Sequence, residues 1–168
     1  MKKTYFMSII AIILGVLLDQ YTKFLAVKHL QEKPIPIIDG VFELHYLENR
    51  GAAFGIMQNQ QTFFLITGFL MLIVISILMV RLPNTKRMLP IRACSVAVAA
   101  GAIGNMIDRA RLNYVIDFLY FKLIDFPIFN VADIYVTVAA FAIIVLVLFY
   151  YKEEEIDALF IQLRGKNT

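Results

Sequence analysis

The sequence predicts an all-α membrane protein, with four transmembrane helices and a small extracytoplasmic β-sheet or cradle between helices 1 and 2. Three observations carry this prediction. Four stretches, at approximately 5–28, 62–81, 88–108 and 131–151, reach the roughly 20 mostly apolar residues that cross a bilayer core. Hydrophobic residues make up 60% of the chain and charged ones 17%, against about 45–50% and about 25% in a soluble domain. Mean hydropathy is +0.73, more apolar surface than a soluble core from 168 residues could hide. Finally, Pro34 and Pro36 lead through the turn signal Asp39-Gly40 into Val41-Phe42-Glu43-Leu44-His45-Tyr46-Leu47, β-formers in partial alternation.

The first helix needs an argument of its own. Lys2 and Lys3 precede the apolar run Tyr5–Leu18, as in a secretory signal. No small-x-small cleavage site follows. Asp19-Gln20-Tyr21-Thr22-Lys23 comes instead, and the helical pattern continues to about Leu30, so a retained helix is expected. The second and fourth stretches are almost free of charge, while the first and third carry charges toward one end. In the connection 109–130, Tyr114–Tyr120 and Ile128–Phe129 look extended. The tail 152–168 reads as a cytoplasmic helix with no chemical role, and residues 1–168 as a single integral membrane domain.

Orientation follows from the Lys/Arg bias. Lys2, Lys3, Arg81, Lys86, Arg87, Arg92, Lys152, Arg164 and Lys166 fall on one side. Lys28, Lys33, Arg50, Arg109, Arg111 and Lys122 fall on the other. The first set faces the cytoplasm, with both termini, and the connections 29–61 and 109–130 face outward. The net charge of +3 and pI of about 9.0 fit this topology. No basic run is long enough for nucleic acid, and no nucleic-acid module occurs. Cys94 is the lone cysteine and lies in an apolar stretch, so it reads as a buried structural thiol. The two histidines, His29 and His45, lie in outer positions. There is no His-Glu-x-x-His and no Gly-x-Ser-x-Gly, so metal and serine hydrolase chemistry lack support.

Charges in or beside membrane helices need partners or a wet cavity. Asp19 and Lys23 are spaced i,i+4 near the outer end of helix 1. Asn105, Asp108 and Arg109 share a face at the outer end of helix 3. An ion-pair network accounts for Asp19–Lys23 and for Asp108–Arg109. It does not account for Asp117, in Tyr114-Val115-Ile116-Asp117-Phe118-Leu119-Tyr120, or for Asp133, in Phe129-Asn130-Val131-Ala132-Asp133-Ile134, neither of which has a cation nearby in sequence. Capping of helix 4 is the alternative role for Asp133. In helix 3, Ala97, Gly101 and Asn105 repeat every four residues, as do Ala100, Gly104 and Asp108. Small residues so spaced let helices approach closely.

These stretches resemble the lipoprotein signal peptidase family, also called signal peptidase II. The matching segments are Leu18-Asp19-Gln20-Tyr21-Thr22-Lys23, Asn49-Arg50-Gly51-Ala52-Ala53-Phe54-Gly55, Gly104-Asn105-Met106-Ile107-Asp108-Arg109, Val115-Ile116-Asp117-Phe118 and Phe129-Asn130-Val131-Ala132-Asp133. The match runs in order from about residue 5 to 151. The resemblance implies a membrane aspartic endopeptidase that removes signal peptides from diacylglyceryl-modified bacterial prolipoproteins, cutting before the lipidated cysteine. It implies catalytic roles for Asp117 and Asp133. It implies substrate-binding or supporting roles for Asp19, Lys23, Asn49, Gly51, Ala52, Asn105, Asp108, Arg109 and Asn130. It also implies a multi-pass protein of the bacterial inner membrane, monomeric, with lipid neighbours, no cofactor, no metal, and its site near the extracytoplasmic face.

Two close carboxylates sharing one proton can supply both halves of peptide hydrolysis. The ionised member takes a proton from water, and the protonated member binds the scissile carbonyl. Arg109 is placed to steady either loops or substrate backbone. Phe54, Phe118 and Phe129 are placed either in the cleft or in packing. The alternatives are a small proton- or ion-coupled transporter, in which intramembrane carboxylates relay protons, and an assembly factor with a purely structural polar cluster.

Overall fold

The computed structural model describes residues 2–51 and 57–157. Four helices dominate: α1 (Lys2–Leu30), α2 (Gln61–Arg81), α3 (Leu89–Leu112) and α4 (Val131–Val145), the last continuing as a π-turn over Leu146–Tyr150. Each is long and apolar enough to span a membrane, over Lys3–Leu30, Gln61–Arg81, Lys86–Leu112 and Val131–Tyr150. Their outward faces carry Leu14, Leu17, Phe69, Val74, Val138 and Phe141, all exposed. Lipid is the medium in which such faces are stable.

α3 is the central helix and packs against the other three. Its two small-residue rows serve different neighbours. A Cβ on Gly101 would sit 2.5 Å from the Ala132 carbonyl oxygen of α4 and 2.7 Å from Val136 Cγ2. A Cβ on Gly104 would sit 2.5 Å from Asp19 Oδ2 of α1. One row therefore takes α4 and the other α1, at backbone distance.

A three-stranded antiparallel sheet lies at one end of the bundle, in the order β1 (Ile35–Ile38), β2 (Phe42–Asn49), β3 (Val115–Tyr120). The sequence located the sheet between helices 1 and 2. The third strand comes instead from the connection between α3 and α4. It covers the edge of β2 that would otherwise lie unpaired. It also buries Ile116 and Phe118 against Ala26 and Leu30 at the end of α1. Asn49 pairs with Val115 and Leu47 with Asp117. Phe129 returns to β3, accepting from Leu119 N at 2.8 Å and donating to Leu119 O at 3.0 Å, so residue 130 arrives beside residue 117.

A polar knot joins the helices at this end. Lys23 is 1% exposed and Asp19 0%. Lys23 Nζ lies 2.9 Å from Asp19 Oδ2 and 2.9 Å from Asp108 Oδ2, and donates to Asn105 Oδ1 at 2.8 Å. All three ammonium protons have an acceptor, the condition for burying the charge. Each acid also grips a backbone: Asp19 Oδ1 accepts from Ala132 N at 2.9 Å, and Asp108 Oδ2 from Ile116 N at 3.2 Å. Asp19 of α1 thus caps the first turn of α4. This corrects one expectation: Asp108 pairs with Lys23, not with Arg109. At the other end, buried Arg92 donates to Leu82 O at 3.1 Å, satisfying a carbonyl where α2 stops. Residues 153–157 are helical, and Glu155 pairs with Arg87 at 3.0 Å. Residues 158–168 of the tail lie outside the described residues.

Gly101→Ala is expected to cost about 1–3 kcal/mol by overpacking against the α4 backbone. Exposure of the buried Cys94 thiol on heating in detergent measures it, as a lower midpoint. Lys23→Met leaves buried carboxylates without their cation and is expected to cost about 3–5 kcal/mol. Adding Asp19→Asn should recover part of the loss, and an unchanged midpoint in Lys23→Met would refute the account of the knot.

Candidate active site

A cleft of about 830 Å³ opens between α2, α3 and α4, roofed by β2, β3 and residues 125–129. Both Asp117 and Asp133 line it. Strand alternation places Asp117 there: its neighbours Ile116 and Phe118 turn into the core while its carboxyl takes the opposite face. Asp117 is 1% exposed. Its Oδ2 accepts from Asn49 Nδ2 at 2.8 Å, and its Oδ1 from Asn130 Nδ2 at 2.7 Å. Asn49 is its diagonal cross-strand neighbour, held in turn by Gly51 N, which donates to Asn49 Oδ1 at 3.0 Å.

Asp133 sits in the first turn of α4, and the capping alternative is realised. Asn130 Oδ1 accepts from Asp133 N at 3.0 Å, and Asp133 Oδ2 accepts from Asn130 N at 3.1 Å, closing a capping box. The cap does not exhaust the carboxyl. Asp133 Oδ1 accepts from Asn105 Nδ2 at 2.8 Å, and two carboxylate oxygens offer about four acceptor sites.

Asn130, 0% exposed, ties the two acids together. Its Nδ2 donates to Asp117 Oδ1 and, at 3.1 Å, to Asn105 Oδ1, while Asn105 reaches Asp133. The acids are thus joined through neutral amides, with Lys23 one step behind Asn105. Neutral donors hold the carboxyls in place without suppressing their basicity as a touching cation would. Burial pushes the Asp117 carboxyl up to about 7, and the charge of Asp133 adds to this. The hydrogen bonds from Asn49 and Asn130, and the charge of Lys23, pull the other way.

Asn105 and Arg109 line the cleft as well, and Gly51 sits at its edge. Arg109 packs its guanidinium 4.7 Å from the centre of the Phe64 ring and donates to Gly51 O at 3.4 Å. Its Nε is buried without a partner among the described residues, a donor free for a ligand. Asp19, Lys23 and Asp108 stand behind the cleft wall and hold it. Phe129 lines the cleft, whereas Phe118 is core. Ala52 and Phe54 lie outside the described residues. Gln20, to which the sequence assigns no role, donates to Asp108 Oδ1 at 2.9 Å and Asp19 Oδ2 at 3.2 Å. A carboxamide within an apolar helix was its signal. Phe64 had none, since one aromatic in an apolar helix resembles the next. Among the described residues, no three His, Cys, Asp or Glu side chains are grouped to hold a metal.

Comparison with known proteins follows this geometry. The family model for signal peptidase (SPase) II matches residues 10–149. A lipoprotein signal peptidase of Caldanaerobacter subterraneus subsp. tengcongensis is 44% identical over 147 residues, covering 85% of this chain and 97% of that one. One from Clostridium tetani is 40% identical over 153 residues, covering 88% and 94%. One from Streptococcus pyogenes serotype M5 is 41% identical over 158 residues, covering 92% and 98%. Among solved structures, a bacterial membrane enzyme determined by the in meso method at 2.3 Å resolution superposes with a TM-score of 0.76 at 30% identity, covering 88% of this chain and 92% of that one. A multi-pass membrane protein with these relatives has one family assignment: the chain belongs to the signal peptidase II family of peptidases.

Proposed function

We propose that the protein is a membrane aspartic endopeptidase that removes the signal peptide from diacylglyceryl-modified bacterial prolipoproteins, cutting before the lipid-bearing cysteine. The observation that carries this reading is the pair Asp117 and Asp133, joined by Asn130 in a cleft walled by three membrane helices. A water between the carboxyls gives a proton to the ionised member and attacks the scissile carbonyl. The protonated member donates to the carbonyl oxygen and then helps protonate the leaving amine. The two acids titrate as a unit. Asn49, Asn105 and Asn130 orient them. Arg109, whose Nε has no partner among the described residues, and the Gly51–Ala52 segment hold substrate backbone. Asp19, Lys23 and Asp108 keep the helices in register.

The setting agrees with a lipid-anchored substrate, which cannot leave the bilayer easily. The Lys/Arg distribution supports cytoplasmic termini and a site near the extracytoplasmic face of the bacterial inner membrane, with the enzyme working as a monomer among lipids. Nothing supports the transporter alternative: Asp19, Asp108, Asp117 and Asp133 gather at the sheet end of the bundle, and among the described residues no relay crosses it.

Asp117→Asn and Asp133→Asn should each lower kcat by about 10²–10⁴ on a diacylglyceryl-modified prolipoprotein peptide, with product read by mass. Both variants should keep a cooperative Cys94 unfolding transition. Wild-type turnover in Asp117→Asn would sink the pair.

The raised Asp117 value also fixes a pH dependence. A shared proton is lost as pH rises through about 7, so kcat/KM should fall on that limb. Asn49 pulls the value down, so Asn49→Ala should move the limb to higher pH. A limb unmoved, or moved down, would contradict the hydrogen bond's role. Folded-state stability follows the same sign: the neutral carboxyl is preferred in burial, so the contribution is full below the ordinary value of 3.8 and is lost by about 7.

A further inference from the structure

Two of the glycines lining the cleft, Gly68 and Gly101, lie in helices, and what they face differs in kind. Gly101 faces backbone, the Ala132 carbonyl, so the wall between α3 and α4 cannot yield locally. Gly68 of α2 faces a single side chain. A Cβ there would meet Met106 Sδ at 2.7 Å, Cγ at 3.0 Å and Cε at 3.7 Å. Met106 belongs to α3 and also lines the cleft. The wall between α2 and α3 therefore closes on an unbranched thioether with three rotatable bonds, the most adaptable apolar filler among side chains.

The surroundings define what this part of the cleft accepts. Met71, Val98 and Val136 line it beside Gly68 and Met106. The Thr67 hydroxyl is spent on its own helix, donating to Phe63 O at 3.0 Å or Phe64 O at 3.1 Å. Among the described residues the region offers mainly alkyl surface, with the Thr137 hydroxyl next to Val136 as a further polar group. It begins one residue from Asn105, which binds Asp133. Met106 and the two acids line one continuous cleft, so an aliphatic group held here shares it with them.

We infer that Gly68 and Met106 together set the width of this apolar half of the cleft, and so select the alkyl group accepted next to the scissile bond. The inference rests on the peptidase reading above. Rotation of the Met106 side chain admits the group without moving a helix backbone. A side chain at position 68 takes that freedom away by driving the thioether into the cleft. The alkyl group has two possible sources, an acyl chain of the modified cysteine or an apolar side chain of the signal segment.

The test uses the full chain in detergent micelles and four lipidated peptides, dioctanoyl or dioleoyl, each with Ala or Leu shortly before the modified cysteine. Gly68→Leu should change the ratio of kcat/KM between a bulky peptide and its small counterpart about tenfold, the scale on which an apolar pocket discriminates. Met106→Ala in the same background should bring the ratio back. A ratio that follows acyl length assigns the subsite to the lipid, and one that follows Ala against Leu assigns it to the peptide. Met106→Ala alone should shift the ratio toward the bulky member, which keeps the test alive if Gly68→Leu fails to fold. Equal effects on all four peptides, or no restoration by Met106→Ala, would overturn the inference while leaving the peptidase reading intact. A wild-type enzyme that cleaves none of the four would overturn both.

Discussion

An ammonium group buried at the end of a membrane bundle governs this structure. Lys23 cannot stay charged there without a full set of acceptors. It finds them on two helices, Asp19 of its own and Asn105 and Asp108 of α3. The acids it gathers also accept from backbone that arrives later in the chain, Asp19 through its other oxygen and Asp108 through the same Oδ2 that meets the lysine. Asp19 caps α4 through Ala132 N, and Asp108 receives β3 through Ile116 N. One cation thereby fixes the first turn of α4 and the first residues of β3, the two elements that carry Asp133 and Asp117. Lys23 lies outside the cleft lining, but its charge sets the cleft's geometry.

Between that cation and the acid pair stands a layer of carboxamides. Asn49, Asn105 and Asn130 offer donors that fix the direction of each carboxyl oxygen without a full positive charge. A lysine in direct contact would hold both acids ionised and poorly basic. Amide dipoles allow one proton to remain near neutrality. Position and basicity are thus supplied by different residues, and many polar side chains surround the two acids.

Much of this was legible in the sequence, and the reasons are specific. The four membrane helices follow from apolar length, the only signal that lipid requires. The acids Asp117 and Asp133 stood out because apolar residues flank them with no cation nearby. The rows ending at Asn105 and Asp108 announced close helix packing, and Gly101 and Gly104 bear it out at backbone distance. Three things were not legible. The partner of Asp108 is Lys23, eighty-five positions earlier by sequence numbering, and the adjacent Arg109 was a false attraction, since neighbours one apart on a helix do not face each other. The third strand crosses from one outer connection to the other, a pairing that local pattern cannot encode. For Asn130 the resemblance implied a supporting role, but neither its cap on α4 nor its bond to Asp117 was legible, since only tertiary placement turns its amide toward that acid.

The cross-helix cap on α4 has a consequence for how such a protein matures. Asp19 belongs to α1, which is synthesised before α4, the helix that carries Ala132. Until α4 is inserted, that carboxyl has an oxygen with no donor, and Asp133 has no neighbour. On the proposed reading, hydrolytic competence therefore waits on the insertion of α4, and a chain halted before it is inert. Activity is in that reading tied to the joining of α1 and α4 across the bundle.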